Sequence, residues 1–261
     1  MLKALNTAAT GMQAQQTQLD VIANNMANVG TTGFKKSRAE FEDLLYQTIK
    51  EPGAQIGPAS VHPAGVQTGL GVRTSATQKI FEEGAAKITR NPLDLSIEGS
   101  GFFPIQMSNG QIGYTRDGTF HRDAGGRIVD KNANPLVPEI VIPPNAVAVD
   151  ITNSGMVTIS TAPDQPPQQI GQIQLVNFVN PTGLKSLGKN LFSPTAASGA
   201  PQQGNPGENN LGSLSQGQLE ASNVNIVDEM VNMISAQRSY ESNSKVIQAA
   251  DQMLQYSNNL R

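Results

Sequence analysis

The sequence contains no cysteine and no tryptophan, only two histidines, and few charges. Without cysteine there are no disulfides, no thiolate nucleophiles and no cysteine-ligated metals. Two histidines leave little imidazole for acid–base work. Charged residues make up 15% of the chain and the formal net charge is -3, so there is no basic field to attract nucleic acid. No apolar run approaches the roughly 18 residues of a membrane span. The opening M-L-K-A-L-N-T-A-A-T-G-M also lacks the continuous apolar core of a secretory signal peptide. Glycine (25), proline (16), asparagine and glutamine are plentiful instead. A polar, weakly charged surface suits burial between subunits, because few charges need desolvating. The 261 residues suffice for two or three small domains or one large one.

The stretch Leu219–Leu260 carries the clearest pattern. Ile226, Met230, Met233, Tyr240, Ile247 and Leu254 recur at helical steps, and Val227, Ile234 and Met253 widen the stripe. No proline or glycine falls between Ile226 and Gln255. The spacing predicts a helix of about seven or eight turns, long for a globular protein. Ser222, Asn223 and Asn225 supply cap candidates, and Asp228-Glu229 put negative charge at its start. Such an amphipathic helix needs cover for its apolar face.

The other terminus offers a partner. Leu5, Met12, Leu19, Ile22, Met26 and Val29 step along a second predicted helix over residues 2–28, with Asn25 and several glutamines around a narrow stripe. A narrow stripe on a long helix suggests a coiled coil more than a globular helix. Gly11 interrupts it, at about 1 kcal/mol relative to alanine. Pairing the two helices is the simplest way to cover both stripes. Polar residues within the stripes, such as Gln15, Gln237, Ser244 and Asp251, make a lone hairpin marginal and point to an oligomer or filament.

Between the termini the pattern changes. The four-residue spacing of Phe41, Leu45 and Ile49 predicts a short helix over 39–49, after Phe34. The Pro/Gly-punctuated stretch that follows, to about residue 71, reads as an exposed loop or an extended arm ordered by neighbouring subunits. From Val72 the period becomes two, with turn signals at Asn109-Gly110, Asp117-Gly118, Gly125-Gly126 and Asn153-Ser154-Gly155. The expected class is mixed α and β. N- and C-terminal helices pair as a coiled-coil-like core and bracket an all-β outer domain, with extended loops. The expected divisions are 1–33 for the N-terminal core helix and 34–71 for the short helix and strap. Then come 72–192 for the β domain, 193–218 for a polar return linker and 219–261 for the C-terminal core helix.

Chemistry is hard to find. His62 beside Pro63 and His121 beside Phe120 have no metal-ligand spacing. Gly99, Gly101, Gly110, Gly113 and Gly118 lack a phosphate-loop pattern and read as turn glycines. Asp117, Asp123 and Asp130 raise the possibility of a two-carboxylate wall hydrolase, but acids at hairpin tips have conformational reasons to be there. No catalytic, cofactor or metal residues are assigned, and no small-molecule substrate is expected.

Two motifs at opposite ends carry a resemblance. One is L-D-V-I-A-N-N-M-A-N-V-G-T-T-G-F-K, Leu19 to Lys35. The other is S-N-V-N-I-V-D-E-M-V-N-M-I-S-A-Q-R-S-Y-E-S-N-S-K-V-I-Q-A-A-D-Q-M-L, Ser222 to Leu254. Together they resemble the bacterial flagellar axial proteins of rod and hook. F-E-D-L-L-Y-Q-T-I-K-E-P-G-A-Q, Phe41 to Gln55, is most similar to the distal rod members, as are G-L-G-V-R, I-E-G-S-G-F-F and Y-T-R-D-G-T-F further on.

The resemblance implies a non-enzymatic subunit that polymerises with itself into a helical drive shaft carrying torque from motor to hook. A proximal rod or hook-type axial subunit is the alternative, and a soluble adaptor with a plain helical hairpin is a further one. Implied partners are proximal rod proteins, the hook protein, the rod cap protein, the peptidoglycan and outer-membrane ring proteins, and the type III export apparatus. The implied location is the basal body, spanning the periplasm, without a cleaved signal peptide. The assembly interface is then expected at Leu5, Met12, Leu19, Ile22, Asn25, Met26, Phe34, Phe41 and Leu45. On the closing helix it is expected at Ile226, Met230, Met233, Ile234, Tyr240, Ile247 and Leu254.

Overall fold

The computed structural model describes residues 2–51, 55–57, 60–61, 64–162 and 166–259. His62 and part of the Pro/Gly-rich strap therefore lie outside the described residues. The chain divides into two compact units, one of Met1–Ala27, Ser37–Lys79 and Asn225–Arg261, the other of Asn28–Lys36 and Ile80–Val224.

The first unit holds two helices, α1 (Leu2–Ala27) and α2 (Ile226–Asn259). It also holds the strands β1 (Ser37–Asp43), β2 (Tyr46–Lys50), β3 (Gln55–Gly57), β4 (Ser60–Val61), β5 (Val66–Gly69) and β6 (Val72–Lys79). Asn225 caps α2, its Oδ1 accepting the Val227 N–H at 3.0 Å. That satisfies one of the donors a helix start leaves open. α1 packs along α2 and also against β1 and β6.

The short helix expected over 39–49 is absent. Those residues form β1 and β2, which pair antiparallel with β6 and β5. The four-residue spacing of Phe41, Leu45 and Ile49 was a coincidence of two strands separated at Leu44–Leu45. The paired residues lie between 16 (Lys50 and Val66) and 42 (Ser37 and Lys79) positions ahead, so the hydrogen bonds that decide the matter are invisible in a local pattern. The described parts of the strap include the antiparallel pair of β2 and β5.

The β unit begins at Ile80, not Val72, because Val72–Lys79 belongs to the ladder with β1. Its strands are β7 (Ala86–Ile88), β8 (Leu95–Glu98), β9 (Phe103–Gln106), β10 (Ile112–Thr115), β11 (His121–Arg122) and β12 (Ile128–Val129). They continue with β13 (Ala148–Ile151), β14 (Met156–Ser160), β15 (Gln168–Gln172), β16 (Leu175–Asn177), β17 (Lys185–Gly188) and β18 (Leu191–Ser193). Last come β19 (Gln202–Gly204), β20 (Ser213–Gln216) and β21 (Gln218–Glu220). The turns at Asn109-Gly110, Gly125-Gly126 and Asn153-Ser154-Gly155 join β9 to β10, β11 to β12, and β13 to β14 as antiparallel hairpins.

The return passage is no linker. Within 193–218, Gln202–Gly204 pairs with β16 and Ser213–Gln216 pairs with β8. Leu211 and Leu214 enter the main core with Leu95, Ile97, Phe103 and Ile105. A polar stretch takes a place in a core when its backbone completes ladders and two leucines suffice to seal it. A second cluster holds Phe102, Tyr114, Phe178 and Phe192 in edge-to-face contacts, such as Tyr114 on Phe178 at 4.9 Å between ring centres.

Candidate assembly surface

The seam between α1 and α2 is built from small and polar residues. Glu229, Ala236 and Ala250 are buried and Asn243 half-buried, each seven residues from the next. On α1, Ala8, Ile22 and Asn25 are buried. Gly11 faces the crossing: a Cβ there would stand 3.0 Å from Asn243 Nδ2, so the amide would have to shift by a few tenths of an ångström.

Asn25 fixes this seam to the sheet. Its Oδ1 accepts the Ser37 N–H at 2.8 Å, and its Nδ2 donates to the Ser37 carbonyl at 2.8 Å and to Glu229 Oε2 at 3.4 Å. One amide side chain thus copies a β-pair with the first residue of β1 and touches α2.

The apolar residues of α2 mostly face elsewhere. Val227 is 66% exposed, Val231 61% and Ile234 48%. At 100° per residue, these three lie on the side of α2 opposite the Glu229–Ala236–Asn243 seam. Of the residues expected at an assembly interface, Ile226, Met230 and Tyr240 are also exposed, as are Phe41 and Leu45. Leu5, Met12, Leu19 and Met26 on α1 are half-buried, as are Phe34, Met233, Ile247 and Leu254. Only Ile22 and Asn25 are fully buried within the chain. The pairing of the helices therefore leaves much of the α2 stripe uncovered, contrary to the simple picture of two apolar faces closing on each other.

In the β unit the segment after α1 is locked by a buried ionic cluster that the sequence reading missed. Lys35 Nζ donates to Glu220 Oε1 at 2.5 Å and to the Glu82 carbonyl at 2.5 Å. Arg116 reaches Glu220 Oε2 at 3.5 Å, donates to the Gly99 carbonyl at 2.8 Å, and lies 5.4 Å from the centre of the Phe102 ring. All three charged side chains are at least 96% buried, with relative exposures of 0%, 4% and 3%. Burial pushes the Lys35 ammonium and the Arg116 guanidinium below their usual values, against the pull of Glu220. Gly33 makes the approach possible: it sits at φ +66, and a Cβ would lie 2.7 Å from the Arg116 carbonyl carbon. A carboxylate at 220 and a lysine at 35 carry no local sequence signal of their partnership.

The candidate carboxylates are occupied by their own turns. Asp117 bonds Thr119 Oγ1 at 2.7 Å and Lys131 Nζ at 2.6 Å; Asp130 accepts the N–H groups of Asn132 and Asn134. His121 is exposed on a hairpin. Among the described residues no group of three or more metal-binding side chains converges.

Comparison with known proteins decides the family. A model described as flagella basal body rod protein matches residues 5–35. One described as flagellar hook protein FlgE/F/G D1 domain matches 96–159, and one described as flagellar basal body rod FlgEFG protein C-terminal matches 215–260. The flagellar basal-body rod protein FlgG of Caulobacter vibrioides is 48% identical over 261 residues, covering 100% of both chains. That of Buchnera aphidicola subsp. Schizaphis graminum is 48% identical over 255 residues, 98% of each chain, and that of Bacillus subtilis 40% over 269 residues, 100% of each. This chain belongs to the FlgG family of flagellar basal-body rod proteins. As a FlgG-family member it is a structural subunit of the rod, the drive shaft of the flagellum, and not an enzyme. Two of the matched segments contain the features just described. Asn25 and Lys35 lie in 5–35, and Glu220, Glu229 and the exposed stripe in 215–260.

Proposed function

We propose that the chain builds the distal part of the rod, polymerising with itself into a helical tube that carries torque through the periplasm to the hook. The reading rests on the end-to-end similarity to basal-body rod proteins. The exposed face of α2 supplies the physical means, since apolar side chains left in water within one chain find cover between chains. In this reading α1 and α2 form a coiled-coil-like inner wall, and α2 offers its outward stripe to neighbouring copies. Such contacts are heterologous and do not close, so they propagate. Proximal rod proteins lie below and the hook protein above. The rod cap protein guides addition, the peptidoglycan and outer-membrane ring proteins surround the shaft, and the type III export apparatus delivers the subunits.

Negative-stain electron microscopy of the concentrated protein, beside limited proteolysis of a dilute sample, tests this. Straight rods, with both terminal helices cleaved in the monomer and protected in the polymer, are expected. A protease-resistant monomer at every concentration would overturn it.

A further inference from the structure

The first unit contains a groove of about 530 Å³ lined by Ala4, Thr7 and Ala8 of α1, Thr68 and Gly69 of β5, and Val246 of α2. Asn243 of α2 completes the lining, whose exposed surface is mostly apolar. Lys3 also lines it, and among the described residues its ammonium donates to the neutral amide oxygen of Gln47 and meets no carboxylate. The groove is thus apolar with unmatched positive charge.

The same unit presents the converse surface. Val227, Val231 and Ile234 form an exposed apolar ridge at steps of four and three, with Arg238 one turn beyond and Asp228 beside its start; Asp228 is exposed with no cationic partner among the described residues. Ridges of one helix seat in grooves of a neighbour, and Asp228 beside the ridge meets Lys3 at the groove. One chain cannot make the contact with itself. Val231 and Val246 stand 15 residues apart on a single helix, about 20 Å along its axis.

We infer that the ridge Val227–Val231–Ile234 of one copy docks in the Ala4–Ala8, Thr68–Gly69, Val246 groove of a second copy, with Asp228 facing Lys3. The inference rests on the rod reading above and names the contact by which copies stack. Ridge and groove are different patches at different heights, so each copy offers one free ridge and one free groove. Addition is directional and does not terminate.

The absence of cysteine makes the test clean. Rods isolated from cells that produce Val231→Cys together with Thr68→Cys are oxidised and run without reductant. A ladder of dimers and higher species is expected from the double variant, and none from either single variant or from Val231→Cys with Ile88→Cys. Dimers from Val231→Cys alone would mean ridge against ridge and overturn the inference. Rods that form but never cross-link at 68 and 231 would also overturn it while leaving the rod reading intact. Wild-type protein that never enters a rod would overturn the rod reading instead. A second measurement covers variants that fail to assemble. Lys3→Glu is expected to lower the sedimentable fraction several-fold and Asp228→Lys in the same chain to restore it. A double reversal no better than the single ones would count against the pairing.

Discussion

At Glu220 a single carboxylate holds two buried cations, Lys35 and Arg116. Removing it as Glu220→Ala takes away the carboxylate that both contact in a site closed to water, leaving only the more distant pull of Glu83. The expected loss is about 3–5 kcal/mol of β-unit stability, read as a fall in the urea midpoint of β-sheet circular dichroism. A loss below about 1 kcal/mol would show that other groups neutralise the cluster. Asp123 makes a milder case. Its carboxylate accepts the N–H groups of Gly125 at 2.8 Å and Arg127 at 2.9 Å. The Arg127 backbone hydrogen bond leads the causes that hold its pKa below the usual 3.8, and the Arg127 side chain and the Gly125 N–H add to it. A depressed carboxylate stabilises the fold above its unfolded value and loses that contribution as pH falls through the folded one. The acid limb of the wild-type unfolding curve below pH 3.8 is therefore expected to be steeper than that of Asp123→Asn. Identical limbs would remove Asp123 from the account. The turn role of Asp123 was legible in the sequence, but the partners of Glu220 were not. Lys35 and Glu220 are separated by 185 residues, and a lysine in a glycine-rich turn looks solvated until the fold closes over it.

Among the elements, α2 was the most legible and the most misleading. Its existence followed from a long run without proline or glycine, and α1 followed from its stepped stripe. Which face does what did not follow. The intrachain seam uses Glu229, Ala236, Asn243 and Ala250, residues that a search for hydrophobic periodicity passes over. The residues it does find, Met230 and Ile234 among them, are left exposed. Strands were legible where Asn-Gly and Gly-Gly turns mark hairpins, and illegible where pairing joins distant segments, as between 213–216 and 95–98. The division of faces makes a sharp prediction. Ile234→Asp or Met230→Asp places a charge where the monomer is already wet, so monomer stability should change by no more than about 0.5 kcal/mol. In a polymer that covers the same face, the carboxylate is desolvated, and assembly should be abolished. Sedimentation and thermal unfolding of one preparation separate the two effects. A large drop in monomer melting temperature would show that the face is covered within the chain after all.

At the scale of the whole molecule, the ribbon of β2 and β5 is the part least able to stand alone. It is two-stranded, and Leu45 beside it is 84% exposed, Ile49 61% and Val66 48%. Two strands without a packed face are marginal in water, whereas the β unit holds Ile97, Phe103 and Ile105 in a closed core. The two regions should therefore respond differently to polymerisation. In the dilute monomer, amides of 46–50 and 66–69 are expected to exchange with solvent within minutes, while those of 95–98 and 103–106 persist for hours. In the rod, neighbouring copies cover the ribbon, so its amides should slow by several orders of magnitude and the core amides should change little. Hydrogen exchange read by mass spectrometry on monomer and rod gives both numbers from one digest. Full protection of the ribbon in the monomer would mean that its apolar side chains are not held in reserve for a neighbour, and that rod formation draws on the helices alone.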